Sequence, residues 1–462
     1  MSRKSGAFLA IDIFADRFRS ERKRKLIQNK RFRDLVNYVR KHSPYYAEKL
    51  AHLPEEFTLT ALPVMTKSVI MENFDRIVTD PEITLEGCNK FMLNHENRKK
   101  KYLDKYVVAT TSGSTGVPLV SVLDPQSMGI FVYTGSTRLI PSNALFMKMF
   151  LKGFRMANLV SDRGFYLGNG SLHQNIAKVK NPDKLMQVFD ILNPVETIVE
   201  GLNEFDPSAM HCYPSFLELL TEEKRAGRLR INPMMILCGG EKLREDVRRE
   251  AQEVFGVKVY GNYSCTEAGS IGYECVHQRL HINEDWLILE AVDEEFNPVP
   301  PGVRSSSILI TNLGNYSMPF IRYEVSDQVI FHTDPCPCGK KSRTITVEGR
   351  NSDNIQLMKD DGSFITLTYM QLLSGLKTVE GMVRYQIVAH KGKDNLLEIR
   401  FISREGYDRQ KVYEGICDRL THNLEHLKAP MASYRLSDKE PGANPRTGKF
   451  SALYQVKEAG NE

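Results

Sequence analysis

The sequence predicts an α/β protein with a large N-terminal domain of parallel or mixed sheets and helices, followed by a small α+β lid domain. Three observations support this prediction. The 462 residues are too many for one compact core. Short apolar runs alternate with helical stripes through the middle of the chain. Beyond residue 353 the pattern changes to alternating strands and one amphipathic helix.

The middle of the chain contains a βαβ unit. Residues 234–238 form an apolar strand that ends at Gly239 and Gly240, and residues 257–260 form the next strand. Between them, a helix that stops at Gly256 has one apolar stripe, made by Leu243, Val247, Ala251 and Val254. A helical crossover between neighbouring strands requires a parallel sheet.

A further apolar strand, residues 106–109, precedes a loop with two glycines and five hydroxyl residues, Thr110 to Pro118. Such a loop can fold around phosphate oxygens, and a plain surface turn is the alternative for the loop taken alone. It is not the usual P-loop, because no Lys-Ser or Lys-Thr pair follows its second glycine. Parallel sheets bind ligands beyond the carboxyl ends of their strands, so we expect the loops at Thr110, Gly239 and Gly261 to converge.

The last 110 residues or so form the lid domain. Residues 385–388 and 396–402 are predicted strands, and a helix follows with an apolar stripe of Val412, Ile416, Leu420 and Leu424. The predicted boundaries are an N-terminal domain over 1–350, a hinge over 351–353 and the lid over 354–462. A site between a large domain and a small one is the expected arrangement.

Composition and charge exclude several classes of function. The formal charge of +5 is small for this length and does not indicate a nucleic-acid partner. The apolar run at residues 8–11 is too short for a secretory core or a membrane span, so we expect no membrane partner and a cytoplasmic location with reduced cysteines. The basic segment 17–30 is predicted to be an exposed helix, and the basic run 98–101 a solvated loop or a steering site for a polyanion.

Four more segments carry side chains suited to chemistry: Gly239-Gly240-Glu241, Tyr263 to Glu267, Arg322 to Asp327, and Thr447-Gly448-Lys449. Each alone is a weak signal, because a Thr-Glu pair is often a helix cap and a lone Asp is often part of a turn. With the loop at Thr110, and in this order, they resemble the adenylate-forming superfamily, which includes acyl- and aryl-CoA synthetases. The resemblance runs from about Arg40 to Lys449.

Within that superfamily, the chain is most similar to the phenylacetate–CoA ligase-like branch, because of residues 42–46 and the segment from Cys275 to His281. The resemblance implies ATP-dependent activation of an aromatic or medium-length carboxylic acid to an acyl-adenylate, with pyrophosphate release and transfer to the thiol of CoA. Transfer to a carrier-protein phosphopantetheine or an amine is the first alternative. A catalytically silent nucleotide-binding interaction protein is the second. A homodimer is common in this branch, although no interface is evident in the sequence.

The resemblance also implies roles for individual residues. Glu267 would hold Mg²⁺, Thr266 the α-phosphate and Asp327 the ribose hydroxyls, with Arg350 supporting the same nucleotide. Lys449 would bridge the carboxylate and the α-phosphate during adenylation. The phosphate cradle would comprise Thr111, Ser112, Gly113, Ser114, Thr115 and Gly116. The adenine shelf would comprise Gly239, Gly240 and Glu241, and Asp353 would be the hinge.

The acid itself does not follow from the resemblance. The branch places a His-aromatic pair near the acyl pocket, and this chain has Ser171 and Leu172 there. The identity of the substrate therefore stays open.

A zinc site is predicted from the remaining cysteine pattern. The Cys-Pro-Cys-Gly turn from Cys336 to Gly339 can aim two thiolates at one point, and Cys275 with one histidine would complete a tetrahedral set. The resemblance implies His281 as the fourth ligand, because Leu280-His281 matches the family, and His277 is the alternate. The competing interpretation is a pair of buried reduced thiols. Such a closed site would hold a structural Zn²⁺.

Overall fold

The computed structural model describes residues 6–54, 57–111, 119–160, 165–168, 182–191, 193–350, 355–367, 372–373, 376, 379–390, 394–427, 429–442 and 451–456. The chain divides into two compact units, Met1–Glu348 and Gly349–Glu462. This division lies beside the boundary predicted at residue 350. The α/β class is confirmed.

The helices are α1 (Gly6–Ala15), α2 (Glu21–His42), α3 (Pro44–Lys49), α4 (Lys67–Glu72), α5 (Phe74–Ile77), α6 (Leu85–Leu93), α7 (Pro125–Arg138), α8 (Asn143–Leu151), α9 (Pro182–Leu185), α10 (Val195–Phe205), α11 (Pro214–Arg225), α12 (Glu245–Phe255) and α13 (Arg409–His426). Short 3₁₀ turns occur at Asp16–Phe18, Leu59–Ala61 and His95–Lys99.

The strands of the first unit are β1 (Val107–Thr110), β2 (Val120–Leu123), β3 (Met156–Val160), β4 (Met186–Asp190), β5 (Ala209–Cys212), β6 (Met235–Cys238), β7 (Val259–Cys265), β8 (Gly269–Glu274), β9 (Leu280–Ile282), β10 (Leu287–Val292), β11 (Ser307–Asn312), β12 (Tyr323–Val325), β13 (Asp327–Phe331) and β14 (Thr344–Arg350), which ends just beyond the division. Those of the second are β15 (Ile355–Met358), β16 (Phe364–Leu367), β17 (Met382–His390), β18 (Leu397–Ser403), β19 (Tyr434–Leu436) and β20 (Leu453–Val456).

A nine-stranded mixed sheet organises the first unit, in the order β13-β14-β9-β8-β7-β6-β5-β3-β4. The pairs from β4 to β7 are parallel, and β8 and β9 continue antiparallel. Because α12 connects β6 to β7, which pair in parallel, the predicted βαβ unit is confirmed. Its buried face is Val247, Ala251 and Phe255, so Phe255 takes the place that the prediction gave to Val254.

Two strand predictions need correction. The strand β1 is not part of the nine-stranded sheet but forms an antiparallel hairpin with β2 alone. No loop opens at Gly261, because β7 continues to Cys265. There it pairs with β8 in a local hairpin, whose ladder satisfies the backbone groups that a loop would leave open.

The prediction of an exposed basic helix over residues 17–30 was correct about the helix and wrong about the exposure of Arg24. Helix α2 forms, but Arg24 is buried, and so is Arg31 just beyond the predicted segment. Arg24 Nε donates to Asp16 Oδ1 at 3.1 Å, and Arg31 pairs with Asp12 while its guanidinium lies 3.5 Å from the Trp286 ring centroid. Carboxylates on α1 and the turn after it compensate these charges, which permits burial that a basic sequence does not suggest.

The second unit has a four-stranded sheet, β19-β18-β17-β20, with α13 packed on it. The predicted helical stripe is confirmed, because Val412, Ile416, Leu420 and Leu424 are the buried residues of α13. Across the described residues of both units, no helix combines the length and hydropathy needed to span a membrane.

Candidate functional site

The turn after β6 has two glycines in close contact with side chains. A Cβ atom on Gly239 would lie 2.2 Å from Asn262 Oδ1, and one on Gly240 would lie 2.6 Å from Tyr213 Cε1. Gly240 also has a φ of +79°, a conformation that favours glycine. The backbone here therefore passes directly against an amide and an aromatic ring.

Glu241 attaches this turn to helix α11. Its two carboxylate oxygens accept hydrogen bonds from Ser215 N and Ser215 Oγ, each at 3.1 Å. Ser215 lies in the first turn of α11, where unsatisfied N–H groups and the helix dipole favour a negative charge. Glu241 thus fixes the glycine turn relative to the start of α11.

Asn262 presents an unused acceptor beside Gly239. Among the described residues, its buried Oδ1 has no hydrogen-bond partner. Burial lowers the pKa of the neighbouring His211 to about 4, and the nearby Asn262 side chain offsets this only in part, so this imidazole is neutral near pH 7. A buried acceptor without a partner in a native fold indicates a donor supplied from elsewhere.

Two predicted carboxylates flank the far end of β7. Asp327 is buried and accepts a hydrogen bond from the Tyr263 hydroxyl. Glu267 is also buried, and Asn312 Nδ2 donates to its backbone carbonyl at 3.0 Å. Burial, followed by the charge of Glu267, raises the pKa of Tyr323, so a protonated hydroxyl faces the Glu267 carboxylate.

A cation that the sequence analysis missed interacts electrostatically with the same carboxylate. Burial lowers the pKa of Lys67 at the start of α4, and the charge of Glu267 raises it. The preceding Met65 is held to β12 by two backbone bonds: its N–H donates to Arg322 O at 3.0 Å, and its carbonyl accepts from Glu324 N at 2.9 Å. This contact between distant parts of the chain is what brings Lys67 to Glu267.

Thr111 is hydrogen-bonded to Leu119, and these two residues flank the predicted phosphate loop. Its N–H donates to Leu119 O and its hydroxyl accepts from Leu119 N, both at 2.9 Å. The hairpin is attached through Val122 O, which accepts from Asn315 Nδ2 at 2.9 Å. Since Asn312, three residues earlier, holds the Glu267 carbonyl, a single loop connects the hairpin to the carboxylate region.

The strand β7 and the turn after it connect most of the predicted nucleotide residues. Asn262 contacts the glycine turn, Tyr263 contacts Asp327, and Thr266 and Glu267 follow directly. Arg350 ends β14, but its side chain lies outside the description. The predicted residues that fall outside the described part are Ser112, Gly113, Ser114, Thr115, Gly116, Asp353 and Lys449.

The four predicted zinc ligands lie together. Donor atoms of Cys275, His281, Cys336 and Cys338 are all within 4.8 Å of one another. The Cys275 and Cys336 sulfurs are 3.6 Å apart, and Cys338 Sγ is 3.2 Å from His281 Nε2. Cys275 follows β8, His281 is in β9, and the other two lie between β13 and β14. His277 is exposed and outside the cluster.

The histidine is oriented as a metal ligand would be. His281 Nδ1 lies 3.1 Å from both the carbonyl and the hydroxyl oxygen of Ser342. A backbone acceptor at Nδ1 favours the tautomer with its proton there, which leaves the Nε2 lone pair directed at the thiols.

The thiols of the cluster differ in their electrostatic environment. Burial raises the pKa of Cys275, but its interaction with His281 and hydrogen bonds from backbone N–H groups bring it down to about 6. Burial raises the pKa of Cys338 to about 12. A divalent metal bound by these donors would stabilise several thiolates at once. The donor set and its geometry fit Zn²⁺.

Comparisons with known proteins agree with the predicted resemblance. A model of the AMP-binding enzyme family matches residues 185–305. The chain is 24% identical over 426 residues to a phenylacetate-coenzyme A ligase of Thermus thermophilus, covering 89% of each protein. It is 22% identical to Protein CapK of Staphylococcus aureus, covering 82% of this chain and 78% of that one.

Its fold resembles a 2-hydroxyisobutyryl-CoA ligase crystallised in the postadenylation state with an acyl-adenylate. The TM-score is 0.66 at 19% identity, over 96% of this chain and 91% of that one. The similarity to the adenylate-forming superfamily is thereby confirmed, and so is the similarity to its phenylacetate–CoA ligase-like branch.

Proposed function

We propose, on the basis of its AMP-binding enzyme segment and adenylate-forming fold, that this chain is an AMP-forming acid–CoA ligase. The observation that supports the proposal is the course of β7 and the turn after it: Asn262 contacts the glycine turn, Tyr263 donates to Asp327, and Glu267 follows two residues after the strand ends. The candidate site has an aromatic ring, an unused amide acceptor and buried carboxylates beside a cation. The ring and the amide suit the base of ATP, Asp327 suits the sugar, and Glu267 with Lys67 suits the phosphates and their Mg²⁺.

The reaction overcomes the poor reactivity of a carboxylate. A carboxylate oxygen attacks the α-phosphorus of ATP, and the bond from that phosphorus to the bridging oxygen breaks to release pyrophosphate. The thiol of CoA then attacks the acyl carbon of the adenylate. AMP leaves with the electron pair of the carbon–oxygen bond, and the thiol proton passes to solvent. Both steps depend on alignment and on charge stabilisation.

The base end of the site suits adenine. The Tyr213 ring offers a stacking face beside Gly240, and Asn262 Oδ1 would accept from the exocyclic amine. Asp327 would accept from the ribose hydroxyls while Tyr263 orients it. In this proposal Arg350 supports the same nucleotide.

The phosphate end combines the loop from Thr111 to Gly116 with Thr266 and Lys67. Backbone and hydroxyl donors of the loop would surround the β- and γ-phosphates, and the lysine would add a positive charge. Glu267 is the residue suited to hold Mg²⁺, an ion that prefers oxygen ligands and neutralises phosphate charge. Lys449 would bridge the carboxylate and the α-phosphate, and Asp353 would be the hinge between the two half-reactions.

Exchange of labelled pyrophosphate into ATP, measured with a panel of acids, tests the proposal. We expect exchange with at least one aromatic or medium-length acid, because adenylation is reversible. ATP binding without exchange for any acid would instead favour the silent nucleotide-binding protein. Discharge of the preformed adenylate by CoA, compared with a carrier protein or an amine, identifies the acceptor.

The variant Lys449→Ala separates the half-reactions. We expect it to abolish exchange while sparing thioester formation from a supplied adenylate, since the lysine acts on the α-phosphate only during adenylation. The matched control is Lys439→Ala in the same unit. Equal loss of both half-reactions in the Lys449 variant would contradict the assigned role.

We also propose that Cys275, His281, Cys336 and Cys338 hold a structural Zn²⁺. Support comes from their mutual distances, from the Ser342 contact and from the thiol pKa values. Metal analysis of purified protein should give about one zinc per chain, and Cys338→Ser should lower it. Cys417→Ser, which removes a thiol outside the cluster, should leave it unchanged. Stable protein free of metal would refute the proposal.

A further inference from the structure

One side chain of the second unit binds both ends of the segment that contains Lys449. Gln386, in the middle of β17, is buried. Its Nε2 donates to Gly442 O at 3.0 Å and to Ser451 O at 2.9 Å. These two residues immediately flank residues 443–450, which lie outside the described part. A single amide therefore fixes the two positions from which that segment begins and ends.

The orientation of this amide is determined by chemistry. Arg400 Nη1 lies 3.2 Å from Gln386 Oε1. A guanidinium can only donate, so the atom facing it must be the amide oxygen. The nitrogen with its two N–H groups then faces the two carbonyls, and each N–H has one acceptor. Both donors of the side chain are thus used for this contact.

Arg400 is itself held in place. Its Nε donates to Glu398 Oε1 at 2.8 Å, and its Nη1 donates to Tyr454 Oη at 3.1 Å. Glu398 also accepts from Ser437 Oγ at 2.8 Å. This network lies on the β17–β18 ladder, where Gln386 pairs with Arg400, so the sheet sets the position of Gln386.

The contact adds two fixed points that lie closer to Lys449 in sequence than the backbone bonds do. Ser437 N donates to Ile399 O, and Ile387 N donates to Ala452 O, both at 2.9 Å. Without Gln386, these would be the nearest anchors, at residues 437 and 452. With it, the anchors are Gly442 and Ser451. Fixing chain ends that are closer in sequence lowers the entropic cost of positioning a side chain between them.

We infer that Gln386 is a positioning residue for the adenylation half-reaction, acting through the segment that contains Lys449. The inference rests on the function proposed above for Lys449. It does not require any particular acid or acceptor. Gln386 itself needs no contact with substrate.

The test uses Gln386→Leu, which keeps the buried volume but removes both N–H donors. We expect the turnover of pyrophosphate exchange to fall by about 10- to 100-fold, with the KM for ATP unchanged, because a misplacement of about 1 Å is enough for such a loss. Thioester formation from supplied adenylate should stay within about twofold of the wild type. Arg400→Lys, which weakens the orientation of the amide, should reduce exchange in the same direction but less.

The matched control is Gln455→Ala. Gln455 Nε2 also donates to a backbone carbonyl in this unit, Gln356 O at 2.8 Å, but it does not touch Gly442 or Ser451. It should leave exchange near the wild-type rate. Equal losses in both half-reactions, or an equal loss in the control, would overturn the inference and indicate a general role in stability.

A second readout is independent of activity. Trypsin cleaves after Arg446 and Lys449, and releasing the flanking carbonyls should speed cleavage there several-fold in native Gln386→Leu protein, with other sites unaffected. If the wild type shows no exchange with any acid but this cleavage still rises, the proposed function fails while the structural contact stands. Unchanged cleavage together with unchanged exchange refutes the positioning role.

Discussion

Replacing Gly240 by alanine should displace the ring of Tyr213 and thereby weaken nucleotide binding. The new Cβ would lie 2.6 Å from Tyr213 Cε1, about 1 Å closer than two carbons ordinarily approach. The backbone would also pay for a side chain at φ +79°, about 1–2 kcal/mol. Forcing the ring aside costs about 1–3 kcal/mol more, as overpacking usually does.

Gly256→Ala is the matched control for the backbone cost. Gly256 has a φ of +68°, and no described atom lies within 4 Å of its Cβ position. It should therefore lose only about 1–2 kcal/mol of unfolding free energy. The difference between the two variants measures the cost of displacing Tyr213.

The assays are urea unfolding and calorimetric titration with ATP. We expect Gly240→Ala to lose about 2–5 kcal/mol of stability and to bind ATP about tenfold more weakly, equivalent to about 1.4 kcal/mol. Gly256→Ala should bind ATP as the wild type does. If the Gly240 variant also binds ATP normally, the assignment of this turn to the adenine site is wrong.

Three further predictions concern charged groups. Lys67→Gln should reduce exchange turnover by about 10- to 100-fold with little change in urea unfolding, since a charge near the reacting phosphates is lost rather than a packed core. Glu274→Gln should cost about 3–5 kcal/mol in urea unfolding, because it breaks a buried pair with Arg248 at 2.7 Å. The pKa of Glu398 is about 2: burial alone would raise it from its ordinary 4.5, but hydrogen bonds from Arg400, Ser437 and Arg435 lower it. Its contribution to stability should be complete above about pH 4.5 and decline as the pH falls toward 2, seen as faster hydrogen exchange in β17 and β18.

Local periodicity was enough to predict the elements that bury one face. Helices α12 and α13 and the strands beside them follow directly from the spacing of Val247, Ala251, Val412 and Ile416. The grouping of Cys275, His281, Cys336 and Cys338 was likewise predicted, because the Cys-Pro-Cys-Gly turn and the earlier Cys and His have spacing typical of a metal site.

The residues that sequence reasoning missed depend on contacts across long stretches of chain. Lys67 comes within electrostatic range of Glu267 because Met65 is hydrogen-bonded to β12. The glycine turn is contacted by Asn262 from within β7 and by Tyr213, which follows β5. A lysine, an asparagine and a tyrosine are common surface residues, so nothing in their local sequence distinguishes them. The burial of Arg24 was missed for a different reason: its partner Asp16 is only eight residues away, but the two meet only when the turn before α2 has formed.

The two buried arginines of α2, Arg24 and Arg31, also determine which truncations the chain can tolerate. Asp285 faces Arg138 at 2.7 Å, and Asp12 with Asp16 provides the remaining negative charge around these guanidinium groups. A truncation beginning at residue 20 would remove both aspartates. The buried guanidinium groups of Arg24 and Arg31 would then lack these two negative charges. Any shortened variant should therefore retain α1 and the turn after it, because their loss removes the carboxylates that compensate the buried guanidinium charges.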